Sequence, residues 1–446
     1  MSTLQGIGRA LRFPATALLF LAGCGVSGSL YRDVEHDVSA GRYLEAARTV
    51  RVNVDEYGEK SSVLYKLDMG VLYHYAGLSD SSTSYFLSAE KEIEELYTKS
   101  ISLAAVSMVL NDNVLPYEGE DFEKVLINIF LALNFAEAGE PDEALVEARK
   151  VDIKLRELAR KYDGENKYKE DAFSRYLAGA LYEDAGEMND AFISYKLAYE
   201  AYETYEAQYG IPAPSFLLDD LVRTATAMSF TEEVERYLAA GGKPYDPRGA
   251  PAGSVIVIAY AGKGPIKREI RPTVSIPDEE GTIHTFQIAL PEFQVRYGQA
   301  RRYSVEAESA DSAGLRAEME LVEDVNALAA QSLEDRLGLI YLKSGGRAVL
   351  KFLAAEKAKS ELKKNESEAA NIFGSLAIDI LVAATEQADL RCWRTLPAEF
   401  QMTRLNLAPG KHRVRISASD GAFGLTSETF TVRPGKVTFV VVDDLR

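Results

Sequence analysis

Between Gly241 and Gly253 the chain carries Gly241, Gly242, Pro244, Pro247, Gly249, Pro251 and Gly253, so seven of thirteen positions are Gly or Pro. Glycine loosens the backbone and proline removes an amide donor, so neither a helix nor a strand runs through such a stretch. On its two sides the apolar residues follow different periods. Before it they recur every three to four positions, which puts an apolar stripe on a helix; after it they gather in the short runs typical of strands. The chain therefore divides into a helical part, residues 30–240, a Gly/Pro linker, 241–253, and a mixed part, 254–446.

Glycine punctuates the helical part. Gly41-Arg42-Tyr43-Leu44-Glu45-Ala46-Ala47, Gly77-Leu78-Ser79-Asp80, Gly139-Glu140-Pro141-Asp142-Glu143-Ala144 and Gly186-Glu187-Met188-Asn189-Asp190-Ala191 share one form. In three of them an apolar helix ends at Gly and the next opens with an acidic residue and Ala. Glycine supplies the left-handed cap, and acidic residues suit the positive end of the following helix. Phe122, Val125, Leu126, Ile129, Phe130 and Leu133 form one stripe, and Ala144, Leu145, Ala148, Val151, Leu155, Leu158, Ala159 and Tyr162 a second. The turns Ala136–Ala144 and Tyr182–Ala191 resemble the turn of a tetratricopeptide (TPR) helix pair. The glycines are spaced 36, 62 and 47 apart rather than by a constant 34. The fold class expected is therefore α+β: an N-terminal all-α TPR-like helical solenoid followed by a mixed α/β C-terminal region with a β-sandwich-like tail.

Tyrosine is dense here, with Tyr195, Tyr199, Tyr202, Tyr205 and Tyr209 within fifteen residues. Stacked helix pairs leave a concave face on which Tyr is a common anchor, so Tyr195, Tyr199 and Tyr202 are candidate concave-face aromatics; the alternative is amphipathic core. Asn111–Phe122 breaks the helical pattern. Its carboxylates lack the order of a calcium loop, and helix capping near Asp121 is the expected role.

In the mixed part Ser254–Tyr260, Lys267–Ile276 and Ile283–Leu290 read as strands, with Gln294–Ala307 a weaker candidate. Gly262-Lys263-Gly264 lacks the spacing of a phosphate loop and reads as a turn. Glu318–Arg336 and Arg347–Lys364 read as helices around a Ser344-Gly345-Gly346 hinge, and Glu366–Gln387 as a third, buried helix. A strand after Pro409-Gly410 and a hairpin of Thr429–Arg433 with Val437–Val442 close the chain.

At the N-terminus Arg9 and Arg12 precede an apolar run from Phe13 to Ala22 and then Leu21-Ala22-Gly23-Cys24. A basic start, a short apolar core and small residues before the cut describe a secretory signal peptide, residues 1–23, and a run of this length falls short of the roughly 20 residues that span a bilayer. Leu-Ala-Gly-Cys resembles the lipobox of bacterial lipoproteins. That resemblance implies a diacylglycerol on the Cys24 sulfur, an acylated amine and a short tether, residues 24–29. Gly25 in place of Asp implies an outer-membrane location facing the periplasm. Past Cys24 the only cysteine is Cys392, so no intrachain disulfide is available and stability rests on core burial. Residues 25–245 carry 41 acidic and 22 basic side chains, net −19, whereas residues 246–446 carry 27 and 26. Such acidity excludes nucleic acid as a natural partner and repels an anionic lipid surface.

Catalytic signatures are missing. His36, His74, His284 and His412 are scattered, and there is no zinc motif, nucleophile elbow, Rossmann fingerprint or P-loop, so neither metal nor cofactor is expected. Two clusters stand out. Arg347 and Lys351 lie one turn apart on a helix, where like charges call for a carboxylate, and Asp389 is the candidate. Ala388–Pro397 holds the only tryptophan, Trp393, close to Arg391 and Arg394. Together these six form a candidate structural or partner-binding cluster.

Lipobox, degenerate TPR helices, Pro116–Glu123, Tyr260–Lys267 and Ala388–Pro397 together resemble a family of bacterial TPR-containing envelope lipoproteins. The resemblance implies no catalytic activity, and it suggests company with lipoproteins of the curli-secretion-channel and penicillin-binding-protein-activator kinds. Ala261 stands where that family has an acidic residue before Gly262, so any role of that carboxylate is lost. The expected function is a membrane-anchored, non-enzymatic protein-interaction scaffold in a cell-envelope assembly. The competing reading is a cell-wall polymer hydrolase with an unidentified carboxylate pair.

Overall fold

The computed structural model describes residues 26–109, 113, 115–162, 164, 168–246, 252–277, 283–296, 301–309, 312–365, 387–421 and 423–446. Side-chain surroundings are described for these except 98–109, 276–277, 284, 286, 309, 312–313, 347–348 and 350–365. The helical part comprises α1 Gly28–Ser39, α2 Tyr43–Val52, α3 Val54–Tyr57, α4 Ser62–Tyr75, α5 Ser79–Val109, α6 Asp121–Ala138, α7 Pro141–Lys161, α8 Ala172–Ala185, α9 Met188–Tyr209, α10 Ser215–Ala227 and α11 Thr231–Ala239. They stack as pairs, α1 on α2, α4 on α5, α6 on α7, α8 on α9 and α10 on α11. Each expected glycine turn is in place, with φ of +69°, +69°, +77° and +83° at Gly41, Gly77, Gly139 and Gly186. At Gly139 the left-handed backbone lets its own N–H reach Ala136 O at 3.2 Å and that of Glu140 reach Phe135 O at 2.8 Å, closing α6 before Pro141 opens α7.

The mixed part comprises β1 Gly253–Ala261, β2 Ile266–Ile270, β3 Thr273–Pro277, β4 Ile283–Gln287, β5 Leu290–Gln294, β6 Tyr303–Ser309, β7 Ser312–Glu318, β8 Glu320–Asp324, α12 Val325–Asn365, β9 Glu399–Leu407, β10 Gly410–Ala418, β11 Gly424–Thr426, β12 Phe430–Val432 and β13 Val437–Asp444. One sheet has the order β13-β1-β9-β8 and a second β11-β10-β6-β7, with β12 on β10; β2–β5 and β3–β4 are two-stranded. The chain is α+β.

Strand alternation sets the layers. In β1 every residue is buried. Ile256, Ile258 and Tyr260 point to the helices, whereas Val255, Val257, Ala259 and Ala261 point to the second sheet. Phe400 and Met402 of β9 and Val437 of β13 join the first set; Leu405, Leu407 and Val442 join the second. The central sheet is thus sandwiched between a helical layer and a second sheet, and its side chains alternate between two cores.

The core on the helical side runs from Leu30 through Phe130 and Tyr205 to Trp393, Phe400 and Leu445. Independent folding of the two parts, which the apolar-poor linker suggests, does not fit this packing. The linker itself packs little, but the faces it joins are apolar, and burial is roughly proportional to the area removed from water wherever that area lies in the sequence.

Other expectations need correction. Glu318–Asp324 is strand, not helix: β8 pairs with β9, and the Asp324 side chain accepts the Ala327 N–H at 3.1 Å to start α12. No hinge interrupts α12 at Ser344-Gly345-Gly346, because two glycines cost a long helix only about 1 kcal/mol each. Lys267–Ile276 is two strands divided at Pro272, which offers no amide donor. Thr429–Arg433 and Val437–Val442 form no hairpin. β12 pairs with β10 and β13 runs parallel to β1, so Pro434-Gly435 joins two different sheets. The expected helix Glu366–Gln387 lies outside the described residues except for its last position. Among the described residues no helix is long and apolar enough to cross a membrane.

Candidate functional site

Ala388–Pro397 has neither helix nor strand structure, yet it contacts both the β layer and the helices. Its back is tied to the β layer. Gly264 N–H donates to Leu396 O at 2.8 Å, Ala398 N–H to Ala261 O at 2.9 Å, and Arg296 Nη2 to Arg394 O at 2.6 Å. Its front enters the helical layer. Trp393 is 1% exposed, with Phe86 and Phe130 each 5.7 Å away between ring centroids. Its backbone N–H donates to Glu123 Oε1 at 2.7 Å. Arg391 donates to the carbonyls of Lys60 and Leu115 and lies over the Tyr117 ring; Arg394 pairs with Glu35 at 2.8 Å and lies over Tyr31. Thr395 donates to Asp68 Oδ1 at 2.7 Å, and Tyr75 OH to the Thr395 carbonyl at 3.0 Å.

The segment Tyr117–Glu123 supplies the charges beneath this strap. Glu120 and Glu123 form a capping box at the start of α6. Glu120 also pairs with the buried Lys267 of β2 and the part-exposed Arg336 of α12. Burial alone would raise the Glu120 carboxyl, but the two cations bring it below its ordinary value. Glu123 has no cation. Burial and then the Glu120 charge push it up to about 7, although Tyr117 OH at 2.5 Å and the N–H groups of Trp393 and Glu120 pull the other way. Asp68 rises to about 6 through burial, held back by hydroxyl donors from Thr395, Tyr57 and Tyr31. Three stretches far apart in sequence, Pro116–Glu123, Tyr260–Lys267 and Ala388–Pro397, thus meet in one place.

Two further locks cross between the layers. Arg404 of β9, its side chain 2% exposed, donates to both Glu183 oxygens at 2.8 Å and to Tyr195 OH at 2.9 Å, and stands 3.2 Å from Asp220. Burial would raise Glu183, yet Arg404 and Arg223 lower it to about 2. His74 sits between Asn134 at 2.6 Å and Tyr260 OH at 2.9 Å, and burial lowers it to about 4, so it is neutral.

The candidate concave-face aromatics are not a free groove. Tyr195 and Tyr202 are 0% exposed; Tyr195 serves Glu183 and Arg404, and Tyr202 OH donates to Val322 O of β8 at 3.1 Å. Tyr199 is half-buried against Tyr237. The chain's own central sheet covers that face.

Of the basic cluster, Arg391, Trp393 and Arg394 come together in the strap. The Asp389 carboxylate is held by Arg391, at 2.9 Å from Nε and 2.6 Å from Nη2. Arg347 and Lys351 lie on α12, but their side chains, like the whole of Cys24, lie outside the described residues. Sequence reasoning missed Glu35, Asp68, Glu123, Glu183, Lys267 and Arg404. A signal existed for two of them: Asp68 is the only acidic residue of α4, and Arg404 the only basic residue of β9.

Chemically the site is closed. Glu120 and Glu123 have both carboxylates engaged by the chain's own donors, as do Asp68 and Glu183. Among the described residues no three His, Cys, Asp or Glu side chains are grouped to hold a metal ion.

No family model and no curated protein matches the sequence. Among solved structures, the apo form of RapI is similar at 16% identity and a TM-score of 0.35 over 48% of this chain and 51% of RapI, about half that protein's length. MamA AMB-1 is similar at 16% identity and a TM-score of 0.29, covering 47% of this chain and 87% of MamA. A Podosopora anserina kinesin light chain with nearly identical TPR-like repeats is similar at 13% identity and a TM-score of 0.31, over 47% of this chain and 90% of its own.

Proposed function

We propose that this chain is an envelope lipoprotein, anchored through Cys24, which works by holding a protein partner and not by catalysis. The observation that carries the non-catalytic reading is the state of four buried interlayer carboxylates, Asp68, Glu120, Glu123 and Glu183, each occupied by the chain's own donors. A general acid or nucleophile needs an oxygen free to meet substrate. The TPR-like reading of α1–α11 supports a scaffold. Because the inner face is covered by the central sheet, partners meet the outer helices, where Val146, Ile153 and Ile193 are each nearly half exposed amid a net-negative surface. The anchor rests on Leu21-Ala22-Gly23-Cys24, and the outer-membrane, periplasm-facing location on Gly25. Two acyl chains or more hold a protein stably at a membrane, where one is marginal.

Two measurements test this. Cys24→Ala should give an unprocessed or soluble precursor in fractionated cells; normal membrane retention refutes the anchor. Photo-crosslinkers at Val146, Ile153 and Ile193 in intact cells should trap a discrete protein partner. A chain that traps none at any of these positions, and cleaves a purified cell-wall polymer, would instead be the hydrolase.

A further inference from the structure

We propose that the outward face of α2 rests on the phospholipid surface, so that the anchored chain stands on its membrane in one orientation. The proposal deepens the anchored reading and rests on Cys24 as the point of attachment.

The reach of the tether decides which residues meet the bilayer. Val26, two residues past Cys24, is half-buried against the helical core, and the Ser27 side chain accepts the Leu30 N–H at 3.2 Å to start α1 at Gly28. Two extended residues span only about 7 Å, so the start of α1 is held at the lipid surface. The short turn Ala40–Arg42, with Gly41 at φ +69°, folds α2 back along α1 and returns Val52 to the anchored end.

α2 is apolar on more than the side it packs. Ala46, Ala47 and Val50 are buried against α1 and α4, which is all that an amphipathic helix in this place requires. Leu44, Arg48, Arg51 and Val52 stand at i, i+4, i+7 and i+8 and share the opposite, exposed face. Leu44 is 54% exposed, Val52 69% and Val54, at the start of α3, 43%; Val52 is the most exposed of the large apolar side chains described. Arg42 is paired to Asp37 at 3.0 Å, but among the described residues Arg48 and Arg51 are in no ion pair. Glu45 lies at the edge of this face, and Asp55 and Glu56 bound it on α3. The helical part as a whole is acidic and repels an anionic surface, so its net charge turns the rest of the body away while this face, beside the anchor, offers two arginines. Exposed apolar side chains set between arginines are what a phospholipid surface accepts: the apolar groups enter the boundary of headgroups and acyl chains, and the guanidinium groups meet phosphates.

The test uses the purified mature chain, residues 24–446, coupled through Cys24 to a maleimide lipid in vesicles of phosphatidylcholine and phosphatidylglycerol; Cys392 is 2% exposed and does not compete for the maleimide. A dansyl amino acid replaces Leu44, Val52 or Ile153, one per chain, and the vesicles carry a nitroxide-labelled phospholipid as quencher. Dansyl at Leu44 and at Val52 should be quenched on coupling, and dansyl at Ile153 on α7 should not. Arg48→Glu with Arg51→Glu should lower the occupancy of the docked orientation by at least about tenfold, and the quenching at Val52 with it. All the substituted side chains are exposed, so helical circular dichroism should not change. Equal quenching at all three positions, no quenching at Leu44 and Val52, or quenching that ignores the charge reversal overturns the proposal and leaves the α2 face to a protein partner. The maleimide supplies the tether whether or not a cell acylates Cys24. Fractionation of Cys24→Ala therefore judges the anchor, and quenching judges the docked face.

Discussion

Arg404→Met removes one charge and several donors from a site where nothing else can replace them. In its absence Arg223 is the single cation facing Glu183 and Asp220, which are both buried. An unpaired buried carboxylate escapes by taking a proton, and that sets a scale. Neutralising a carboxyl of ordinary value 4.5 at pH 7 costs about 3 kcal/mol at 1.36 kcal/mol per unit. Depletion of a buried ion network by other routes has a similar size, roughly 3–5 kcal/mol. The expected loss in urea unfolding at pH 7 is therefore about 3 kcal/mol. At pH 5 the same protonation costs about 0.7 kcal/mol, so the gap between variant and wild type should narrow by about 2.7 kcal/mol. Glu183→Gln in the Arg404→Met background should restore part of the loss at pH 7. Because Arg404 joins the sheet to the helices, helical circular dichroism and Trp393 fluorescence should still report one transition. A loss below about 1 kcal/mol at pH 7, or one that ignores pH, would refute the reasoning.

Trp393→Ala should cost roughly 3–5 kcal/mol by emptying an aromatic pocket, measured by thermal or urea unfolding; a loss under about 1 kcal/mol would mean the pocket is not packed as described. Asp68 and Glu123, raised to about 6 and about 7, bind protons more tightly folded than unfolded, while Glu183, lowered to about 2, does the reverse. Stability from the first pair is gained as pH falls through 7 and 6, His74, lowered to about 4, gives some of it back below 6.5, and stability from Glu183 is lost below about 4.5, so Tm should climb from pH 8 to about 5, more slowly below 6.5, and fall again in stronger acid. A Tm that drops steadily from pH 8 to 5 would contradict these assignments. Residues 25–240 expressed alone should aggregate or lose helical circular dichroism, since their inner face is finished by Tyr260, Trp393 and Phe400; a stable, cooperatively folded fragment would show that the shared core is dispensable.

How far the sequence spoke depended on distance along the chain. Gly139 and Pro141 announce their turn because the cap and the first helical position are fixed by neighbours, and the Phe122–Leu133 stripe reads correctly for the same reason. Strand existence was legible in Ser254–Tyr260, but its partners were not, since parallel pairing with β13 is a long-range event without a local turn signal. The Gly345-Gly346 hinge failed because a glycine's cost is a bias that a long helix can override. At the site, Trp393 and its arginines drew notice by composition. Their real partners did not: Glu35 and Asp68 lie 359 and 327 residues from Arg394 and Thr395, beyond anything periodicity reports. Tyr195 and Tyr202 show the same limit from the other side, because an aromatic stripe looks alike whether solvent or a sheet covers it.

The position of the strap also sets a clock. The helices that surround Trp393 are made first, and their aromatic pocket and the carboxylates of Asp68, Glu123 and Glu183 stay in water until residues 391–404 arrive. Glu123 and Trp393 are 270 residues apart, so at roughly 5–20 residues per second of synthesis that interval lasts on the order of 14–54 s. For most of its birth the N-terminal region therefore has helices available to it and no reason to settle. Native closure waits for nearly the last segment to appear.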